Sequence, residues 1–329
     1  MKAIVQDVYG SADVLRLEEI GKPMLTEGEV LIRVRAAGVD PGVWHLMTGR
    51  PYLVRAMGFG LRAPKVRVRG RDVAGTVEGV GSKVTRFKPG DEVFGTAEGS
   101  FAEYVCARED KLAAKPANMT FEQAAVTPIS GLTALQGIRD VGKVQPGQKV
   151  LIIGAAGGVG TFAVQIARSF GTEVTAVCST RHVELVRSIG AQRVIDYTRD
   201  DFTLGGERYD LMLDVAGNRS WSECVRVLES DATYVGVGAA GIQHGKGGGW
   251  RAIGRFLQVR MGSLRSTRRV VTLFIAKLSK DDLVFLGALL ASGKLTAVID
   301  RRYDLAGVAD ALGYLDQGHA MGKIAIEIA

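Results

Sequence analysis

The stretch from Lys149 to Gly171, KVLIIGAAGGVGTFAVQIARSFG, constrains the fold of this chain more than any other. A short apolar run enters a cluster of glycines, and apolar residues at helical spacing leave it. A strict GxGxxG is missing; the match is Ala155-x-Gly157-x-x-Gly160, with Gly154 just before it. The physical logic survives the substitution. Gly157 lets the backbone approach a pyrophosphate, and Gly160 lets the following helix pack on the strand. The backbone of Ala155, Ala156, Gly157, Gly158, Val159 and Gly160, at the positive end of a helix, is then the expected phosphate cradle.

Such a loop is a weak signal alone, and its surroundings make it a strong one. From Lys149 onward strand and helix patterns alternate: KVLIIG, VGTFAVQIARSFG, EVTAVCS, HVELVRSIG, RVIDY, YDLMLDVAG, SECVRVLES, ATYVGVG. That alternation predicts βαβ units and a doubly wound parallel sheet covered on both faces. Residues 1 to about 115 read differently, as short strands with glycine and Pro-Gly-Asp corners, and the pattern changes near Thr120. At 329 residues, two domains of ~100–200 residues each are expected.

The choice of dinucleotide turns on the end of the second strand of the unit. An NAD site places an acid there for the ribose hydroxyls. Here the strand runs out as Cys178, Ser179, Thr180, Arg181, with no acid. Two hydroxyls and a guanidinium suit a 2′-phosphate, so NADPH is the expected cofactor.

Composition removes other classes. Three widely spaced cysteines, Cys106, Cys178 and Cys224, form no CxxC pair, which argues against a disulfide framework or a zinc–cysteine cluster. No apolar run approaches the ~20 residues of a membrane span, and the start has no long apolar region, so a cytoplasmic location is expected. The net charge of +7 is local: Lys246, Arg251, Arg255, Arg260, Arg265, Arg268 and Arg269 equal the whole excess, with no acid among them. A second acid-free basic stretch runs from Arg50 to Arg71. No nucleic-acid reader motif accompanies either, and nucleic acid is not an expected partner.

The segments GVDPGVWHLMTGRP, RGRDVAGTVEGVGSKVTRFKPGDEVFG, GSFAEYV, AAVTPISGLTALQGI, GAAGGVGTFAVQIARSFG, GAQRVIDY and GKIAIEI carry a resemblance that covers nearly the whole chain in order. The sequence resembles the zinc-free medium-chain dehydrogenases/reductases of the quinone oxidoreductase type. The resemblance implies an α/β protein with a GroES-like β-rich catalytic domain at 1–118 and a Rossmann NADP-binding domain at 119–290. A C-terminal segment, 291–329, is implied to return to the catalytic domain. It further implies that Gly131 and Thr133 lie near the nicotinamide and that Tyr197 joins Ser179, Thr180 and Arg181 around the 2′-phosphate. Val215, Gly217, Gly236 and Gly238 are implied to line the cofactor cleft, with Lys323 near it, and the protein to be a homodimer.

Zinc members of this family use a cysteine in the segment matching GVDPG and a histidine in the one matching GRD; this chain has Asp40 and Arg71. Catalytic zinc needs about three converging ligands, and His45, His182, His244 and His319 make no ligand-spaced pair. No metal is expected. Without one an alkoxide loses its stabiliser, whereas a quinone or an α,β-unsaturated carbonyl accepts hydride and spreads the charge into a hydroquinone anion or enolate. The expected activity is therefore NADPH-dependent reduction of such small apolar acceptors. Asp40 and His45 are candidates for proton donation or substrate orientation, each also readable as structural, and Trp44 is a candidate pocket wall. The alternatives are an alcohol/ketone oxidoreductase, or a non-catalytic NADPH-binding redox sensor at a membrane surface.

The stretch 246–269 supports three readings. Trp250, Ile253, Leu257, Met261 and Leu264 recur at helical spacing. The helix could cover the cleft with this stripe packed down, make a weak membrane-surface contact, or be a solvated face. For 50–71, the apolar residues Tyr52, Leu53 and Phe59 suggest a pocket mouth, against a variable surface loop.

Overall fold

The computed structural model describes residues 1–237, 248–264, 266–272, 274–318 and 320–329, without the side chains of 248–253, 255 and 256. The chain divides into two units: Met1–Leu132 with Leu278–Gly293 and Ala297–Ala329, and Thr133–Lys277 with Lys294–Thr296.

The second unit is built from buried apolar strands. Val150, Leu151 and Ile152 are fully covered, as strands flanked by helices on both faces require. Its six parallel strands lie in the order Arg193–Asp196, Glu173–Cys178, Lys149–Ile153, Tyr209–Asp214, Leu228–Gly236, Arg269–Val271. Numbered along the chain that is 3-2-1-4-5-6, the doubly wound dinucleotide-binding order. Ile153 pairs with Val177 on one side and Asp214 on the other, so the ends of these three strands are level. Helix Gly158–Ser169 packs on the sheet through Phe162, Ala163, Val164, Ile166 and Ala167.

The first unit is mainly antiparallel β. Strand Glu29–Val39 alternates buried and accessible residues over its first half and is covered on both faces over its second. It is flanked by Asp72–Val80 and Lys323–Glu327, with Tyr104–Arg108 pairing its first half. Ile32, Val73, Val93, Phe101, Leu112 and Ile326 are among the core residues beneath this sheet.

This unit extends past the expected boundary at 118, for a packing reason. Helix Phe121–Ala125 buries Ala124 and Ala125 against strands Glu29–Val39 and Asp72–Val80. Helix Lys280–Ala291 also belongs here rather than to a 119–290 domain: its Gly287 lies against Phe94 and Pro116, and its Ala291 carbonyl accepts from Asn118 Nδ2 at 3.0 Å.

Candidate active site

Strand Lys149–Ile153 ends at Gly154, whose φ of +81° favours glycine. The amides of Gly154 and Ala155 both donate to the Val177 carbonyl, at 3.2 and 3.1 Å, which ties the loop to the neighbouring strand. Gly157 then caps helix Gly158–Ser169 without a side chain to satisfy the first amides, which have no acceptor inside the helix. A Cβ on Gly157 would meet only the Gly154 carbonyl oxygen, at 3.5 Å, so the space before the helix is open. A Cβ on Gly160 would lie 2.2 Å from that same oxygen. One glycine keeps room for a ligand; the other lets helix and loop touch. Ala155 and Ala156 are buried, Gly158 and Val159 partly accessible.

Beside this loop, strand Tyr209–Asp214 ends in a buried carboxylate that sequence reasoning did not single out. Asp214 accepts from the Gly217 amide at 2.7 Å and from the Tyr234 hydroxyl at 2.9 Å. The Val215 amide donates to the Ile153 carbonyl at 3.0 Å. Val215 and Gly217 are thereby held next to the glycine loop, at the point where the strand order reverses and such sheets bind ligands. Gly236 ends the adjoining strand, where a Cβ would come 3.1 Å from the Tyr234 ring. Gly238 lies outside the described residues.

The end of strand Glu173–Cys178 carries Ser179, Thr180 and Arg181, and an acid reaches it from the next strand. Asp196 stands in register with Cys178, and Thr180 Oγ1 donates to Asp196 Oδ2 at 2.5 Å. Hydrogen bonds from Thr180 and then Thr198 hold the Asp196 carboxyl below the usual carboxylate range. Ser179 Oγ lies 3.3 Å from His182 Nδ1, and Tyr197 is exposed beside them.

In the first unit, Asp40 caps helix Pro41–Thr48: its Oδ1 accepts from the amides of Gly42 at 2.6 Å and Val43 at 3.3 Å. Its Oδ2 is buried with no hydrogen-bond partner among the described residues. His45 turns Nδ1 to the Arg50 carbonyl at 2.8 Å, and burial pushes its pKa down. Trp44 corrects an expectation. It is core, packed with Val43 and Met47, and meets the His45 ring edge-on at 5.2 Å. Gly131 lies against Leu286, and Thr133, which opens the second unit, is buried.

The strongest electrostatic feature of this unit is at Asp72, which sequence reasoning left unremarked. Asp72 is fully buried, accepts from the Ile129 amide at 3.1 Å, and faces Lys323 Nζ at 3.7 Å. Lys323, expected beside the cofactor, is thus directed at a carboxylate of the first unit. Burial pushes the Asp72 carboxyl up to about 7, with Lys323 opposing and Asp40 assisting. Arg71, next in sequence, pairs with Glu98 at 3.3 Å on the wall of a cavity of about 270 Å³ that Thr96, Cys106 and Lys111 also line. An aspartate at the head of the apolar strand Asp72–Val80, and a lysine heading Lys323–Glu327, were the available signals.

Comparison with known proteins agrees with this architecture. Residues 26–117 match the alcohol dehydrogenase GroES-like domain and 189–326 the zinc-binding dehydrogenase domain. Quinone-oxidoreductase QR1 of Triphysaria versicolor is 33% identical over 99% of this chain and 98% of its own length. The chain belongs to the quinone oxidoreductase-like medium-chain dehydrogenases/reductases. The chloroplastic NADPH-dependent alkenal/one oxidoreductase of Arabidopsis thaliana is 33% identical to this member over 99% of the chain and 79% of its own length. The solved quinone oxidoreductase of Coxiella burnetii superposes with a TM-score of 0.86 at 29% identity, covering 100% of this chain and 99% of its own.

The zinc named in one domain description does not fit the residues here. A dication wants converging neutral or anionic donors. Beside Asp40 and Asp72 stand two cations instead: Lys323, and Arg71, whose Nη1 would lie 3.6 Å from a Cβ on Gly42. Among the described residues no three His, Cys, Asp or Glu side chains are placed to hold a metal.

The basic stretches also depart from expectation. Helix Gly248–Ser263 forms, but Leu257, Met261 and Leu264 are exposed, and Val259 on the opposite face is buried. The part of the stripe that is described therefore faces outward, against the reading of a cover packed down. The side chains of Trp250, Arg251, Ile253 and Arg255, and residues His244, Lys246, Arg265 and His319, lie outside the described set. Tyr52, Leu53 and Phe59 are exposed too, so they form no buried pocket wall, and Arg55 stacks on Tyr9 and Tyr52.

Proposed function

We propose that this protein reduces quinones or α,β-unsaturated carbonyl compounds by hydride transfer from NADPH, without a metal ion. The observation that carries the reading is the uncapped, open helix start behind Gly157, set at the switch point of a doubly wound sheet. The backbone from Ala155 to Gly160 would hold the pyrophosphate, Val215 and Gly217 the adjoining cleft, and Ser179, Arg181 and Tyr197 the 2′-phosphate. When bound, NADPH supplies the hydride.

The chain's own contribution is to bind and orient. Asp40 fixes the start of helix Pro41–Thr48, and His45 holds its Nδ1 proton against the Arg50 carbonyl. In its neutral form His45 then has no proton on Nε2 to give, so solvent completes the reduction. Metal independence is supported by the cations Lys323 and Arg71 at the place where a zinc dehydrogenase of this family gathers ligands.

The assay is NADPH consumption by EDTA-treated protein, with a 2-alkenal, a naphthoquinone and a simple ketone offered in parallel. Turnover of the first two despite chelation is expected. Turnover of the ketone alone, abolished by chelation, would replace this reading with an alcohol/ketone oxidoreductase.

Two further aspects belong to the same proposal. A homodimer follows from the family resemblance, and strand Arg269–Val271, at one edge of the sheet, leaves a place to extend it. The outward residues Leu257 and Met261 of this helix and Leu264 just after it, among bases without acids, support a weak contact with anionic lipid. Cosedimentation with anionic but not zwitterionic vesicles, lost when all three become serine, is the expected result. No helix among the described residues is long and apolar enough to cross a membrane.

A further inference from the structure

The adenosine end of the site contains an acid delivered by an unexpected strand. Sequence scanning looks for it after strand Glu173–Cys178; Asp196 arrives instead from Arg193–Asp196, level with Cys178. The Tyr197 amide donates to the Cys178 carbonyl at 3.0 Å, which fixes the two strand ends together.

A doubly ionised 2′-phosphate only accepts hydrogen bonds, so its pocket must supply donors. Thr180 has one hydroxyl proton, and it points to Asp196 Oδ2 at 2.5 Å. Thr198 donates its own to Asp196 Oδ1 at 2.8 Å while its oxygen lies 2.8 Å from Thr180 Oγ1. The Thr198 amide gives the carboxylate its third bond, to Oδ1 at 3.0 Å. Both hydroxyls are thus engaged by a carboxylate whose charge has the same sign as a phosphate. Arg199 approaches that carboxylate at 3.6 Å, and Arg181 follows Thr180 in the same turn. A free ribose hydroxyl meets the opposite situation, because it can donate to a carboxylate and carries no charge to repel.

We infer that Asp196 sets the nicotinamide preference of this chain, narrowing the margin between NADPH and NADH by engaging the Thr180 hydroxyl and opposing the 2′-phosphate. The inference rests on the dinucleotide reading of the glycine loop. It makes Asp196 a specificity-determining residue, and it predicts a protein that uses both cofactors.

The test uses two ligands that lack nicotinamide: adenosine 2′,5′-bisphosphate and adenosine 5′-monophosphate, titrated calorimetrically into wild type and Asp196→Asn. The amide keeps the shape of the acid and removes its charge. The bisphosphate is expected to bind the variant on the order of tenfold more tightly, the scale of one unit charge at contact near a surface. The monophosphate is expected to change little. Equal shifts for both ligands, or none for the bisphosphate, overturn the inference. Failure of every form to bind either ligand overturns the dinucleotide reading along with it. Asp196→Ser, checked by thermal melting without ligand, gives the same comparison if the asparagine variant folds poorly.

Discussion

Lys323 Nζ lies 3.7 Å from Asp72 Oδ2, with both side chains closed off from solvent. The lysine heads the strand Lys323–Glu327 and the aspartate heads Asp72–Val80, and both strands pair with Glu29–Val39. The ion pair therefore joins one end of three neighbouring strands.

Removing the lysine alone should be costly at alkaline pH, where it leaves a buried carboxylate without its cation. Lys323→Met is expected to lower unfolding free energy by ~3–5 kcal/mol, and Asp72→Asn in the same chain to recover much of that. Urea unfolding of the single and double variants checks it. An additive double variant would show that the two groups do not act as a pair.

The same aspartate gives stability a direction with pH. Burial raises its folded pKa from 3.8 to about 7, so the folded chain holds this proton more tightly than the unfolded one. Its contribution is fully present below the unfolded value and is lost as pH rises toward the folded one. Asp72 should subtract stability as pH rises over that window, against the opposite contribution of groups such as His45, and Asp72→Asn should remove that subtraction. Urea midpoints across the range decide it; an unchanged slope in the variant assigns the pH dependence elsewhere.

His45 should matter less to turnover than its position in the helix suggests. General acids contribute ~10²–10⁴-fold, whereas an imidazole held neutral by burial with Nδ1 on the Arg50 carbonyl has no such role. His45→Gln is expected to cost less than about tenfold in kcat. A loss of hundredfold or more, together with disappearance of a limb from the pH–rate profile, would make His45 the proton donor after all. Its lowered pKa also means that folding weakens as pH falls below 6.5, where the unfolded imidazole charges first.

The two loop glycines should separate binding from folding. Gly157→Val has room for its Cβ and should fold, yet fill the space in front of the helix and abolish NADPH binding. Gly160→Ala meets backbone at 2.2 Å and should instead destabilise the unit by ~1–3 kcal/mol. Melting temperature and cofactor titration, measured on both, distinguish them; NADPH retained by Gly157→Val would mean the loop binds something else.

Arg181→Ala should weaken NADPH on the order of tenfold, the worth of a charge-assisted hydrogen bond, and NADH hardly at all. Equal losses would remove Arg181 from the 2′-phosphate pocket.

What the sequence made legible was whatever depends on local pattern. The apolar run before Gly154 and the helical spacing after Gly160 place strand, loop and helix, and alternation fixes the parallel sheet. Pairings between distant segments left no such trace. Asp196 and Thr180 are 16 residues apart, and only the register of two parallel strands makes them neighbours. Asp72 and Lys323 meet because Glu29–Val39 lies between their strands, which no periodicity announces. Trp44 misled for a related reason: the segment GVDPGVWHLM shows no periodicity that says which side chains turn inward, and the burial of Trp44 with Val43 and Met47 is decided in three dimensions. The exposed Leu257 and Met261 show the converse, an apolar stripe whose partner does not come from the neighbouring fold.

The first unit is assembled from three separate pieces of chain, with the second unit interposed. Consequently its sheet cannot close during synthesis until Lys323–Glu327 has left the ribosome, since that strand must slot beside Glu29–Val39. The parallel sheet, whose strands span only Lys149 to Val271, can form while Lys323–Glu327 is still being translated. The nascent protein would thus have the glycine loop after Lys149–Ile153 in place before the sheet of the first unit is complete, and that sheet waits on a pairing between segments roughly 300 residues apart.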